Sequence, residues 1–69
     1  MPLNYAEIGE TKTIQRVGGN EKTKKFLEEL GFVAGATVSV VTSMAGNIIV
    51  NMKESRVAIS KEMAARIYV

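Results

Sequence analysis

Between residues 26 and 35 the chain reads FLEELGFVAG and then runs directly into the β-branched stretch ATVSVV. A helical pattern, two glycines and a strand pattern are compressed so tightly that the backbone must reverse within a few residues. The preceding EKTKKFLEEL gathers Phe26, Leu27 and Leu30 on one face, which predicts a short amphipathic helix that depends on packing for its stability. Asn20 is a good N-cap for it, because its side-chain oxygen can accept from an orphan backbone donor of the first turn. Glu21 lies in that turn, where the helix dipole favours an anion, and pairs at i,i+4 with Lys25 for about 0.3 kcal/mol. Gly31 falls at the left-handed C′ position, where a β-carbon would be strained. Phe32 is then C″ and Leu27 is C3, the apolar pair of a Schellman motif. Gly35 permits a tight turn into the strand.

The rest of the chain reads mainly as short strands. Leu3, Ala6 and Ile8 precede Gly9, which predicts a turn into TKTIQRV, a strand ended by Gly18-Gly19. In ATVSVV, Ala36, Val38 and Val40 alternate with Thr37 and Ser39. The hairpin signal MAGN assigns the turn to Gly46-Asn47, and IIVNMK returns with Ile48, Val50 and Met52 on one face. RVAIS is the next strand, with Val57 and Ile59 inward, after a looser turn at Glu54-Ser55. Ser60 caps one helical turn, KEMAAR, and IYV closes the chain as a last strand. Five short strands in so small a chain favour a closed or nearly closed barrel, which protects sheet edges. The expected fold is mainly β: a single domain over residues 1–69, a five-stranded SH3-like barrel. One short α-helix lies between its first and second strands, and a helical turn precedes the last.

Composition narrows the chemistry. The 69 residues include no cysteine, which excludes disulfides and thiolate metal sites, and no histidine, the usual general base and commonest metal ligand. A chain of this length buries only about 60% of the surface exposed when it is unfolded. Its start lacks the basic and apolar regions of a signal peptide, and no apolar run approaches the ~20 residues of a membrane span. A cytoplasmic protein is expected. The net charge of +2 permits nucleic-acid binding without requiring it.

With these elements placed, the chain resembles the FeoA family, the small ferrous-iron transport protein A, from Leu3 to Val69. Gly9 stands where the family has a glycine before its first strand. Leu27, Leu30, Gly31, Phe32 and Gly35 spell its L-x-x-L-G-F-x-x-G core. Val38, Val40, Val57 and Ile59 continue its strands, and Ala64, Ile67 and Val69 spell its closing A-x-x-I-x-V. Phe26 and Ser60 stand where the family often has arginine, so arginine contacts at those positions are not carried over. The resemblance implies an SH3-like barrel that acts as an accessory protein of bacterial ferrous-iron uptake. Its implied partner is the large membrane permease with a GTP-binding domain, ferrous iron transport protein B, met from the cytoplasm without insertion into the membrane. The same barrel occurs fused to iron-dependent repressors, where it is an interaction module.

The residues themselves weigh against catalysis. Glu28 and Glu29 project about 100° apart on a helix and cannot converge on one atom. The serines and threonines have no histidine to activate them, and Gly18-Gly19 lacks the lysine of a phosphate loop. No cofactor and no metal site is expected, since Met44, Met52 and Met63 read as filling residues. RNA binding is the rival reading, supported by Lys22, Lys24 and Lys25 and by Tyr5 and Tyr68 as stacking platforms. Against it, Glu21, Glu28 and Glu29 surround the lysines, while Phe26 and Phe32 are assigned to core and cap. Protein binding fits best, with Lys22, Lys24, Lys25 and Glu28 on the helix and Met44 and Asn47 at the hairpin tip as contact residues.

Overall fold

The computed structural model describes residues 1–53 and 55–69. A 3-10 turn at Leu3–Tyr5 leads into β1 (Thr11–Thr13), β2 (Arg16–Val17) and helix α1 (Glu21–Glu29). Then come β3 (Thr37–Met44), β4 (Asn47–Asn51), β5 (Arg56–Ser60), the short helix α2 (Lys61–Ala64) and β6 (Ile67–Tyr68). Four strands form an antiparallel sheet in the order β1-β3-β4-β5, and β2 pairs with β6 in a second sheet.

The expected mainly β architecture is present, with three differences. The single strand read from TKTIQRV is two strands, which makes six rather than five among the described residues. Residues 11–13 pair with β3, whereas Arg16 and Val17 pair with Tyr68 and Ile67. Ile14 makes the corner between them. Its N–H donates to the Ala36 carbonyl at 2.8 Å and its carbonyl accepts from Gly35 at 2.8 Å, while its side chain is buried in the core. A change of partner within one extended segment carries no local composition signal. Second, the two sheets do not close into a barrel among the described residues. Third, the hairpin turn is Ala45-Gly46, not Gly46-Asn47, and Asn47 already belongs to β4 opposite Met44. Both turn residues have positive φ, 47° and 83°, as a two-residue primed turn requires to match strand twist. The sequence pattern assigned that conformation to glycine and asparagine, the residues that tolerate it best. The chain instead holds an alanine there, at a cost of about 1 kcal/mol.

The strand faces fall as the alternation indicates. Val38 and Val40 of β3, Ile48 and Val50 of β4 and Ile59 of β5 are buried, with Met52 and Val57 packed against them. A register shift between Val40 and Thr42 places a bulge at Val41 and bends the sheet. Leu3, Ile14, Leu27, Phe32, Ala64 and Ile67 complete the core from the turns, helices and second sheet. No polar or charged residue among those described is buried. The looser turn expected at Glu54-Ser55 includes Glu54, which lies outside the described residues; beside it, Met52 N–H donates to the Ser55 carbonyl at 2.7 Å.

Candidate interaction surface

Helix α1 is fastened at both ends. Asn20 Oδ1 accepts from Thr23 N–H at 2.8 Å, which is the expected N-cap. At the other end Phe32 N–H donates to the Leu27 carbonyl at 3.0 Å and Gly31 N–H to the Glu28 carbonyl at 2.9 Å. These are the two bonds of a Schellman motif, with Gly31 at φ 103° and the side chains of Leu27 and Phe32 fully buried. α2 has the same kind of start, with Ser60 Oγ accepting from Met63 N–H at 3.2 Å.

This fastening presents Lys22, Lys24, Lys25, Glu21 and Glu28 together around one shallow depression. The lysines and Glu28 read from the sequence are therefore one surface. Met44 and Asn47 are exposed but sit at the opposite end of β3 from the helix C-terminus, with the hairpin tip tied to α2 through Lys61 N–H and the Gly46 carbonyl at 3.0 Å. Elsewhere the helix borders α2 across a small apolar hollow lined by Phe26, Lys22, Thr23 and Met63. Phe26, assigned to the core, is 46% exposed there. The helix is shallow on the core and buries only Leu27, so a residue one step around the wheel already leaves it. Tyr68, taken as a stacking platform, is occupied: the Arg16 guanidinium carbon lies 3.9 Å from its ring centroid. Tyr5 is exposed.

One feature escaped sequence reasoning. Leu30, Gly31, Gly35, Ala36 and Thr37 face Met52, Lys53 and Ser55 across a groove of about 540 Å³. Gly31 and Gly35, which turn the chain, add no side chain to one wall of this groove, so their spacing is the signal that could have located it. Among the described residues no group of three or more His, Cys, Asp or Glu is placed to hold a metal ion. No described helix is long and apolar enough to cross a membrane.

The family model of the FeoA domain matches residues 1–69. The chain belongs to the FeoA family. No curated protein matches it significantly in sequence. Among solved structures, it is similar to an iron uptake regulatory protein, FeoA, at 28% identity and a TM-score of 0.90, covering 97% of this chain and 91% of that one. It is also similar to the zinc-complexed FeoA of Stenotrophomonas maltophilia, at 25% identity and a TM-score of 0.87, over 100% of this chain and 88% of that one. That protein is described as a prokaryotic SH3 domain protein and a candidate activating factor of ferrous iron transport. A manganese-dependent transcriptional repressor shares the fold at 21% identity and a TM-score of 0.92, with this chain covering 40% of it. The family links the chain to ferrous iron transport, and its SH3-like fold is that of FeoA proteins.

Proposed function

We propose that this FeoA-family protein is a cytoplasmic, non-enzymatic adaptor of bacterial ferrous iron uptake. It binds the cytoplasmic side of the GTPase-linked ferrous iron permease, ferrous iron transport protein B, and is peripheral to the inner membrane only through that partner. The observation that carries this reading is a charged helix face, capped at both ends and anchored to the apolar core through Leu27 and Phe32, in a chain matched from end to end by the FeoA domain. Such a face meets a partner without reorganising, so little ordering entropy opposes binding. Lys22, Lys24, Lys25 and Glu28 form the primary contact, and Met44 with Asn47 a second one at the hairpin tip. An adaptor shifts its partner's equilibrium only through different affinities for the two states.

The test is an NMR titration of the labelled protein with the permease's soluble GTP-binding domain, in GDP and GTP-analogue forms. Shifts confined to residues 20–30 and 44–47, stronger with one nucleotide, are expected. Absence of shifts in both forms would remove that domain as a sufficient partner. RNA binding, the alternative, loses its Tyr68 platform to Arg16.

A further inference from the structure

The lysine face is interleaved with Glu21 and Glu28, and of these carboxylates a second cationic cluster shares only Glu28. The β2–β6 ladder sets Arg16 opposite Tyr68, and the guanidinium carbon sits over the ring, 3.9 Å from its centroid. Gly18 lies against this stack: a β-carbon there would be in ordinary contact, 3.4 Å from Tyr68 Cε2 and 3.6 Å from Arg16 Nη1. Gly18 N–H donates to the Arg66 carbonyl at 2.6 Å, and Arg66 Cδ lies 3.7 Å from where a β-carbon on Gly19 would stand, so the stem of a second arginine runs beside the same corner. From α1, Lys24 lines a hollow with Arg16 over Val17 and Phe32, with Glu28 as its one acidic neighbour. Among the described residues, neither arginine nor Lys24 makes an ion pair or donates a side-chain hydrogen bond. Arg56 does, with Nε 3.0 Å from Asn51 Oδ1.

The geometry points to a carboxylate-binding corner at Arg16 and Arg66 that receives an acidic segment of a protein partner. The Tyr68 ring holds the Arg16 guanidinium in place while its N–H groups stay without a side-chain partner among the described residues, and a guanidinium suits a two-pronged bond to a carboxylate. A nucleic acid fits less well: the aromatic face it would stack on is covered, and Glu28 interrupts the path of a phosphate backbone. The identity of the partner rests on the adaptor reading above, while the chemistry of the corner does not.

Two measurements on the whole protein separate these. Hexaglutamate titrated at low salt into the labelled chain is expected to shift the Arg16 and Arg66 Nε–H signals and the Gly18 and Gly19 amides, with the shifts reversed by added salt. Arg16→Gln with Arg66→Gln is expected to weaken the peptide about tenfold or more, Arg56→Gln to leave it unchanged, and Arg16→Lys to recover only part of it. Amide dispersion like that of the unaltered protein establishes that each variant is folded. Shifts confined to Lys22 and Lys25, full recovery by Arg16→Lys, or a response to oligouridylate in place of hexaglutamate would each overturn the inference. In the second measurement the GTP-binding domain is the probe. Binding that survives both arginine replacements overturns the corner and leaves the adaptor standing. Arginine shifts with hexaglutamate but no shift anywhere in the chain with the domain keep the corner and remove that domain as its partner.

Discussion

The end of helix α1 and the tip of the β3–β4 hairpin solve the same problem in opposite surroundings. Each reverses the chain with a glycine at positive φ, Gly31 at 103° and Gly46 at 83°. At the helix end the reversal is joined to two fully buried side chains, Leu27 and Phe32, and a β-carbon on Gly31 would lie 3.5 Å from Met52 Cε. At the hairpin tip nothing lies within 4 Å of such a carbon on Gly46, and Met44 beside it is 61% exposed. The first reversal is part of the core. The second only sets a register, which is why a strained alanine is tolerated there.

The comparison can be broken most forcefully at Phe32. Phe32→Ala removes the largest fully buried side chain and is expected to cost about 3–5 kcal/mol, a large part of the stability of so small a domain. Denaturant unfolding measures it, and a loss below 1 kcal/mol would detach the cap from the core. Gly31→Val should cost about 2–3 kcal/mol, because the distance to Met52 is ordinary and the left-handed backbone alone imposes the strain. A melting temperature equal to that of the unaltered protein would refute this account of the helix end. At the tip the sign reverses. Ala45→Asn supplies the Asn-Gly pair that primed turns favour and should stabilise by about 0.5–1 kcal/mol, read as a higher melting temperature.

The smallest effect concerns neither turn, and so sharpens the contrast between them. Glu10 has its pKa lowered, first by the Glu7 N–H donating to its carboxylate at 2.7 Å and further by Lys12 at 3.3 Å. Its folded value lies below its unfolded one, so the contribution is complete above the ordinary carboxylate range and is lost as pH falls through the folded value. Glu10→Gln should therefore narrow the stability difference between neutral and acidic pH, and the Glu7 amide shift should report the titration. Equal acid sensitivity of the two proteins would refute this.

What could be read from the sequence divides along the same physical line. The helix cap, Asn20 and Ser60 were legible because each depends on residues within a few positions, and the buried strand faces because alternation is local. The Lys22–Glu28 surface was legible for the same reason, through helical periodicity. The corner at Ile14, the open sheets and the Arg16–Tyr68 stack depend on which distant segments meet, and no local pattern encodes that. Phe26 shows the limit from the other side. Its place on the apolar face was read correctly as periodicity, but how deeply the helix sits is a property of the whole core. The separation of the hairpin tip from the lysines was hidden similarly.

The pairing of β2 with β6 also bears on synthesis. Pro2 bridges to Tyr68, and Leu3 shares a core with Ile67, so the first turn is packed by nearly the last residues of the chain. A nascent polypeptide cannot bury Leu3 and Ile14 fully until Ile67 has left the ribosome. Until then β1 has only β3 to hold it, and the loop that must close is almost the length of the domain. Folding of this domain therefore waits for β6 to pair with β2, and a closure over so many residues is intrinsically slow.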